Sequence, residues 1–342
     1  MEFKRRYIAK IGRNLSVRSK VLPSGSKDYA DRKIDKDTEN YSDRYKGSTT
    51  SSNDLTTVPS EVITIKDPIN CVFNVLESKE GTKATNNKAT FEFYNLSEET
   101  SDRIRTGDSI FFQAGHYISS TDISHIFIGQ ITVIRTNKVR ENTITYIEAS
   151  ACDVVRNGAA ISKSYPKNST LGDMVKDLAG VIAKSGMPLG EINSQPIAQR
   201  LLSKVYPSGY AVQGNPLRAL ERICDANGMR AYVSQGRLFV EPKQPRGQLT
   251  KVVTVGPNQF KGQIYKEKDK RGEERTKEDD NKDSYDLKLT LVLDGNITTD
   301  AIVRMEVKGY EGTYSIKSIS HSGQWHGGEE WDTVVTLVSV KF

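Results

Sequence analysis

Long apolar runs are missing from this 342-residue chain. No stretch approaches the ~20 residues that a membrane-spanning helix needs, so membrane insertion is not expected. Cysteine is scarce: Cys71, Cys152 and Cys224 stand far apart with no CxxC spacing, which argues against structural zinc or a disulfide framework. An odd number of cysteines without a signal-peptide pattern fits folding in a reducing cytoplasm. The glycine patterns of phosphate and dinucleotide loops are absent, and so is a GxSxG elbow. Few acids sit in apolar runs that would raise their pKa, which weakens a case for acid–base chemistry. Paired carboxylates for glycan cleavage depend on separation in space, so a cell-wall-cleaving enzyme stays open as a rival.

Apolar content is low as well, with 36% hydrophobic residues and a mean hydropathy of -0.54. These values suit long exposed loops or subunit contacts that stay polar. The formal charge is +6, from 49 basic and 43 acidic residues. The two signs are largely interspersed, so composition does not point to a DNA-binding protein. The length allows roughly two or three domains.

The most informative stretch is Lys88 to Asn137. Phe91 and Phe93 alternate with Thr90, Glu92 and Tyr94, the period of a half-buried strand. Ser97 is placed to cap a helix, with Glu98 and Glu99 in its first turn. Arg103 and Arg105 fall in the last turn and Gly107 supplies a left-handed stop, which predicts about two and a half turns. Further strands follow in SIFFQAG and IFIGQITVIRTN. Upstream, Tyr7 to Gly12 has strand character, and Leu22 to Pro59 is too polar to order itself alone. Glu61 to Leu76 reads as two strands broken by a turn at Asp67-Pro68-Ile69-Asn70. Thr143 to Cys152 alternates again, completing a β unit.

The next unit is helical. Thr170 and Asp173 resemble a capping box, and Leu171, Met174, Val175, Leu178, Ala179 and Ile182 form one apolar stripe. Gly186 stops that helix. A second helix starts with Asn215 as cap and Pro216 in its first turn, buries Leu217, Leu220, Ile223 and Cys224, and ends at Gly228. A hairpin then turns at Ser234-Gln235-Gly236, giving the order helix, linker, helix, hairpin. The stretch KEKDKRGEERTKEDDNKD from Lys266 reads as a solvated loop. Strands are expected at 287–293, 301–307, 312–319 and 331–340. His321 and His326, close to Glu329 and Glu330, have the composition of a metal site; a glycine-rich turn between the last two strands is the plainer reading. Cys152 reads as a small buried hydrophobe. No catalytic, cofactor-binding or metal-binding residues are expected, and no enzyme.

The fold class expected is therefore α+β, mainly β. Residues 1–60 would be an N-terminal strand and polar arm, and 61–158 a first β domain. Residues 159–245 would be a helix-containing connector, and 246–342 a second β domain carrying the charged loop at 266–283. Four stretches in this order resemble the central baseplate hub of contractile phage tails, the late control protein D or tail hub family. They are FEFYNLSEETSDRIRTGDSIFFQAG from Phe91, FIGQITVI from Phe127, NPLRALERICDANGMRAYVSQGRLFV from Asn215 and YSIKSISHSGQWHGGEEWDT from Tyr314. The resemblance runs from about residue 60 onward.

The resemblance implies two tube-like antiparallel β-barrel domains joined by a helix–helix–hairpin domain. It implies a homotrimeric ring between a hexameric tail tube and a trimeric spike, converting threefold to pseudo-sixfold symmetry. Its partners would be the tube or tube-initiator protein and the spike, with tape measure and wedge proteins as further contacts. DNA would meet it only in transit through the lumen. Its place would be the virion or tail-like particle, after folding in the host cytoplasm. Another baseplate component with similar β domains is the second rival.

Overall fold

A computed structural model of the chain describes residues 4–12, 62–79, 87–117, 123–153, 155, 159–190, 196–243, 252–262, 264–268, 285–328 and 330–339. The polar arm expected at 22–59 lies outside these residues.

The first β unit holds β1 (Lys4–Gly12), β2 (Ile63–Lys66), β3 (Cys71–Ser78), β4 (Lys88–Tyr94), the helix α1 (Glu98–Arg103), β5 (Ser109–Tyr117), β6 (Ile123–Val139) and β7 (Asn142–Ser150). Their hydrogen-bonded order is β3-β4-β7-β6-β5-β1-β2, antiparallel throughout. Alternation makes the strands amphipathic: in β4, Ala89, Phe91 and Phe93 are buried while Thr90, Glu92 and Tyr94 are half exposed. The buried faces converge on an aromatic core, with Phe73 and Phe91 each 4.8 Å from Phe112 between ring centroids. Each such side chain contributes about 1.5–3 kcal/mol through burial. Ser97 caps α1 by accepting from the Thr100 amide. The helix is nevertheless only six residues long, because Ile104 turns extended to bury its side chain in the core. Gly107 is left-handed at φ 90°, but it serves the turn into β5 rather than the helix end.

The connector contains β8 (Ile161–Tyr165), β9 (Ser169–Thr170), α2 (Leu171–Lys184), α3 (Pro196–Leu202), β10 (Val205–Tyr206), β11 (Tyr210–Gly214), α4 (Pro216–Asp225), β12 (Met229–Ser234) and β13 (Arg237–Pro242). The apolar stripe predicted for α2 is its buried face, and the Thr170–Asp173 capping box is complete in both directions. Asn215 caps α4 by accepting from the Leu217 and Arg218 amides. The expected linker is more structured than its sequence suggests. It carries α3 and the strands β10 and β11, which pair with β9 and β8 from ahead of α2. Pieces of two and five residues are too short to show a period.

The second β unit contains β14 (Val252–Val255), β15 (Tyr265–Lys268), β16 (Tyr285–Val292), β17 (Ile302–Met305), β18 (Gly312–Gln324) and β19 (Trp331–Ser339). Three residues of the expected charged loop, Lys266 to Lys268, belong to β15, paired with β16; most of that loop lies outside the described residues. The β14–β17 pair is parallel. The strand expected to end near Ile319 runs on through His321, Ser322 and Gly323 to Gln324, so the turn comes later. That extension matters because β18 pairs with β19 on one side and β3 on the other. One thirteen-stranded sheet therefore crosses from the first β unit to the second. Two apolar cores lie beneath it. One is shared by the first unit, the connector and Leu293 and Trp331 of the second unit, and the other is formed within the second unit around Leu289, Ile316 and Val335.

Candidate assembly surface

The seam between β3 and β18 comprises seven residue pairs, from Ser318↔Ser78 to Gln324↔Val72. Side chains alternate across a sheet, so every second residue faces away from the cores. One outward row runs Thr290, Val334, Ser320, Leu76, Lys88 from β16 to β4. The next runs Val292, Asp332, Ser322, Asn74, Thr90, Glu148 into β7. This face is rich in hydroxyls and amides, with Lys88, Arg135 and Lys288 and the acids Glu92, Glu148 and Asp332 dispersed among them. Leu76 and Val338 are its exposed apolar points, at 41% and 39% exposure. Tyr94 donates to Glu92 Oε2 at 3.3 Å and Tyr146 to Glu148 Oε1 at 3.2 Å. Partial burial, then the neighbouring carboxylates, raise both phenol pKa values, so both stay neutral donors. The surface offers shape and hydrogen bonds over both β units.

The histidines that suggested a metal site part company. His321 lies on the core side of β18, buried, with Nδ1 2.9 Å from Thr333 Oγ1. Burial, with a smaller push from His125, lowers its pKa to about 3, so the ring is neutral. His326 sits in the turn after β18 beside Trp325, their ring centroids 6.0 Å apart. Among the described residues, no group of three or more His, Cys, Asp and Glu side chains comes together. Glu329 lies outside them. Cys152 is buried, and burial pushes its thiol up to about 11, which suits a hydrophobe and not a thiolate nucleophile.

Two straps flank the seam. At one end, the turn after β18 is tied to β1. Arg5 donates to the Gln324 carbonyl at 2.7 Å, and the Trp325 indole donates to the Arg5 carbonyl at 3.1 Å. Trp331, fully buried, donates to the Gly115 carbonyl at 3.2 Å. At the other end, the β12–β13 hairpin seats against β3. Lys79, 4% exposed, pairs with Glu241 at 3.1 Å, and Arg230 meets the same carboxylate at 3.2 Å. The Gln235 amide donates to Glu77 Oε1 at 2.9 Å, and Asn87 donates to the Val233 carbonyl at 3.1 Å. The sequence identified the hairpin turn but not its socket, because Glu77, Lys79 and Asn87 lie far from it along the chain.

No known protein family matches the chain, and no curated protein does. Solved structures do share its fold. A tail protein from Neisseria meningitidis MC58 superposes with a TM-score of 0.54 at 10% identity, covering 79% of this chain and 96% of its own. The 43 kDa tail protein of prophage MuSo2 from Shewanella oneidensis gives 0.53 at 12% identity, covering 82% and 94%. A chain of the half-lidded Francisella PdpA–VgrG complex gives 0.51 at 10% identity, covering 99% of this chain and 59% of that one.

Proposed function

We propose that this chain is a structural component of a phage tail or tail-like particle, and specifically its baseplate hub. The observation that carries this reading is the continuous sheet. Two β units, joined through β3 and β18, present one outward wall, with the connector set to one side. The fold is that of proteins described as tail proteins. In this reading three copies close into a ring around the tail axis, and their six β units face a hexameric tube on one side and a trimeric spike on the other. A polar subunit that buries surface mainly on assembly accords with closed rotational symmetry. The chain performs no reaction; it is a template and a passage.

The outward wall is the face we assign to the lumen. Its Lys88, Arg135 and Lys288 are interspersed with Glu92, Glu148 and Asp332 among hydroxyls and amides, so a polyanion meets no basic patch free of acids, whereas an unbroken ring of Lys and Arg would hold phosphates and slow transit. Native mass spectrometry of tail tips isolated from the particle tests the assignment: three copies per tip are expected, and one or six would contradict it. Cell-wall digestion by the purified chain, abolished by substituting a single carboxylate, would overturn the purely structural reading.

A further inference from the structure

We infer that the Ser234–Gly236 tip of the β12–β13 hairpin is a positioning key whose residue Gln235 fixes the angle between the two β units. The seam between β3 and β18 is a line of backbone hydrogen bonds, and sheets twist and flex about such lines. The Arg5, Trp325 and Trp331 contacts restrain that freedom at one end of the line, and a contact off the line at the other end restrains it further. The loop after β16 provides one place for such a contact, because Gly295 lies against the start of β6. A Cβ built on Gly295 would stand 2.7 Å from both the His125 carbonyl oxygen and Ser124 Cβ.

Gln235 closes this corner. Its Nε2 donates to the His125 carbonyl of the first unit at 3.3 Å and to the Gly295 carbonyl of the second at 3.2 Å. One amide thus holds one carbonyl from each β unit. The side chain is aimed by its own backbone, through the Glu77 bond already described and the Ser234 hydroxyl donating to Glu77 Oε2 at 3.4 Å. Gly236 lets the tip seat, since a Cβ there would fall 1.9 Å from Ile128 Cγ2 of β6. The residue choice is itself informative. Gln235 and Gly236 both have positive φ, 46° and 71°, where two-residue hairpins favour Asn-Gly or Asp-Gly. Glutamine suits that backbone less well than asparagine, and its extra methylene is what reaches the two carbonyls.

The angle matters for assembly only if the hub reading holds, because pseudo-sixfold spacing needs two walls at a fixed angle. The test does not depend on that reading. Spin labels at Lys138→Cys and Lys308→Cys report the distance between units in the isolated chain, and a pair at Glu99→Cys and Lys138→Cys reports one unit alone. The native cysteines are buried. Gln235→Ala removes two hydrogen bonds, each biasing the closed arrangement by roughly 5-fold. The between-unit distribution should broaden while the within-unit one stays narrow. Gln235→Asn should broaden it as well, although asparagine suits the turn better. Unchanged between-unit distances in both variants would overturn the proposal, and so would equal broadening of both pairs, which signals general loosening.

Discussion

Gly323 sits where the two β units meet, paired with Phe73 across β3 and with Trp331 across β19. A Cβ at this position would stand 2.6 Å from Phe73 Cε1 and 2.6 Å from Trp331 Cε3. Carbon atoms rest at about 3.5–4.0 Å, so both rings would have to retreat by roughly an ångström. Neither has room. Phe73 packs 4.8 Å from Phe112, and Trp331 stands edge-on to Phe73 at 5.3 Å. Gly323→Ala should therefore destabilise the protein by about 1–3 kcal/mol, the usual cost of an overpacked core. That exceeds the gain of about 0.5–1 kcal/mol from replacing a strand glycine with alanine. Urea titration followed by tryptophan fluorescence measures the loss, and Tm should fall by roughly 1–4 °C. Phe73→Leu, destabilising by itself, should cost less in the Gly323→Ala background because it makes room for the new methyl. A Gly323→Ala protein at least as stable as the parent, or strict additivity in the double variant, would refute the packing argument.

Three further substitutions test other parts of the structure. Glu241→Leu leaves Lys79 buried beside Arg230 without its carboxylate and should cost about 3 kcal/mol by chemical denaturation. Adding Lys79→Met should recover much of that loss, and no recovery would contradict the pairing. His321→Gln tests the acid response. In the unfolded chain the imidazole takes its proton near pH 6.5, whereas in the folded protein burial holds it down to about 3. Below pH 6.5 the unfolded state therefore binds more protons and stability falls with pH. The variant should lose less stability than the parent between pH 7 and pH 5, and equal losses would count against the buried neutral ring. Thr170→Ala removes the oxygen that accepts from the Asp173 amide and should cost about 1 kcal/mol, with faster amide exchange in the first turn of α2. Unchanged exchange there would show that the cap is idle.

Local chemistry was readable where the signals lie close together in the chain. The stripe and capping box of α2, the Asn215–Pro216 start of α4, the alternation of β4 and the Gln235-Gly236 turn all depend on neighbours a few residues apart. Long-range partners were not readable in this way. Ser322 and Gly323 resemble a turn because serine and glycine usually make turns, but Gly323 is in a strand, where Phe73 and Trp331 leave no space for a side chain. His321 and His326 are near in sequence yet differ in setting, since one faces the core and the other lies in the turn beyond it. The shortening of α1 follows from the burial of Ile104, which helix-end signals do not register. The seam itself leaves only a faint trace, a strand longer than its apolar run. Ser320 and Ser322 fall beyond the expected strand end until β3 and β19 are placed beside them, whereas Asn74, Thr90 and Thr290 lie in strands that the alternation already indicated.

On the proposed function, the outward wall lines the bore of the ring. A cryo-EM map of the assembled tail tip tests it most directly. Three copies are expected on the tail axis, their six β units forming one ring with the Ser320–Leu76–Lys88 face toward the bore. Any other copy number on the axis, or a bore whose Lys and Arg form a patch without interspersed acids, would contradict it.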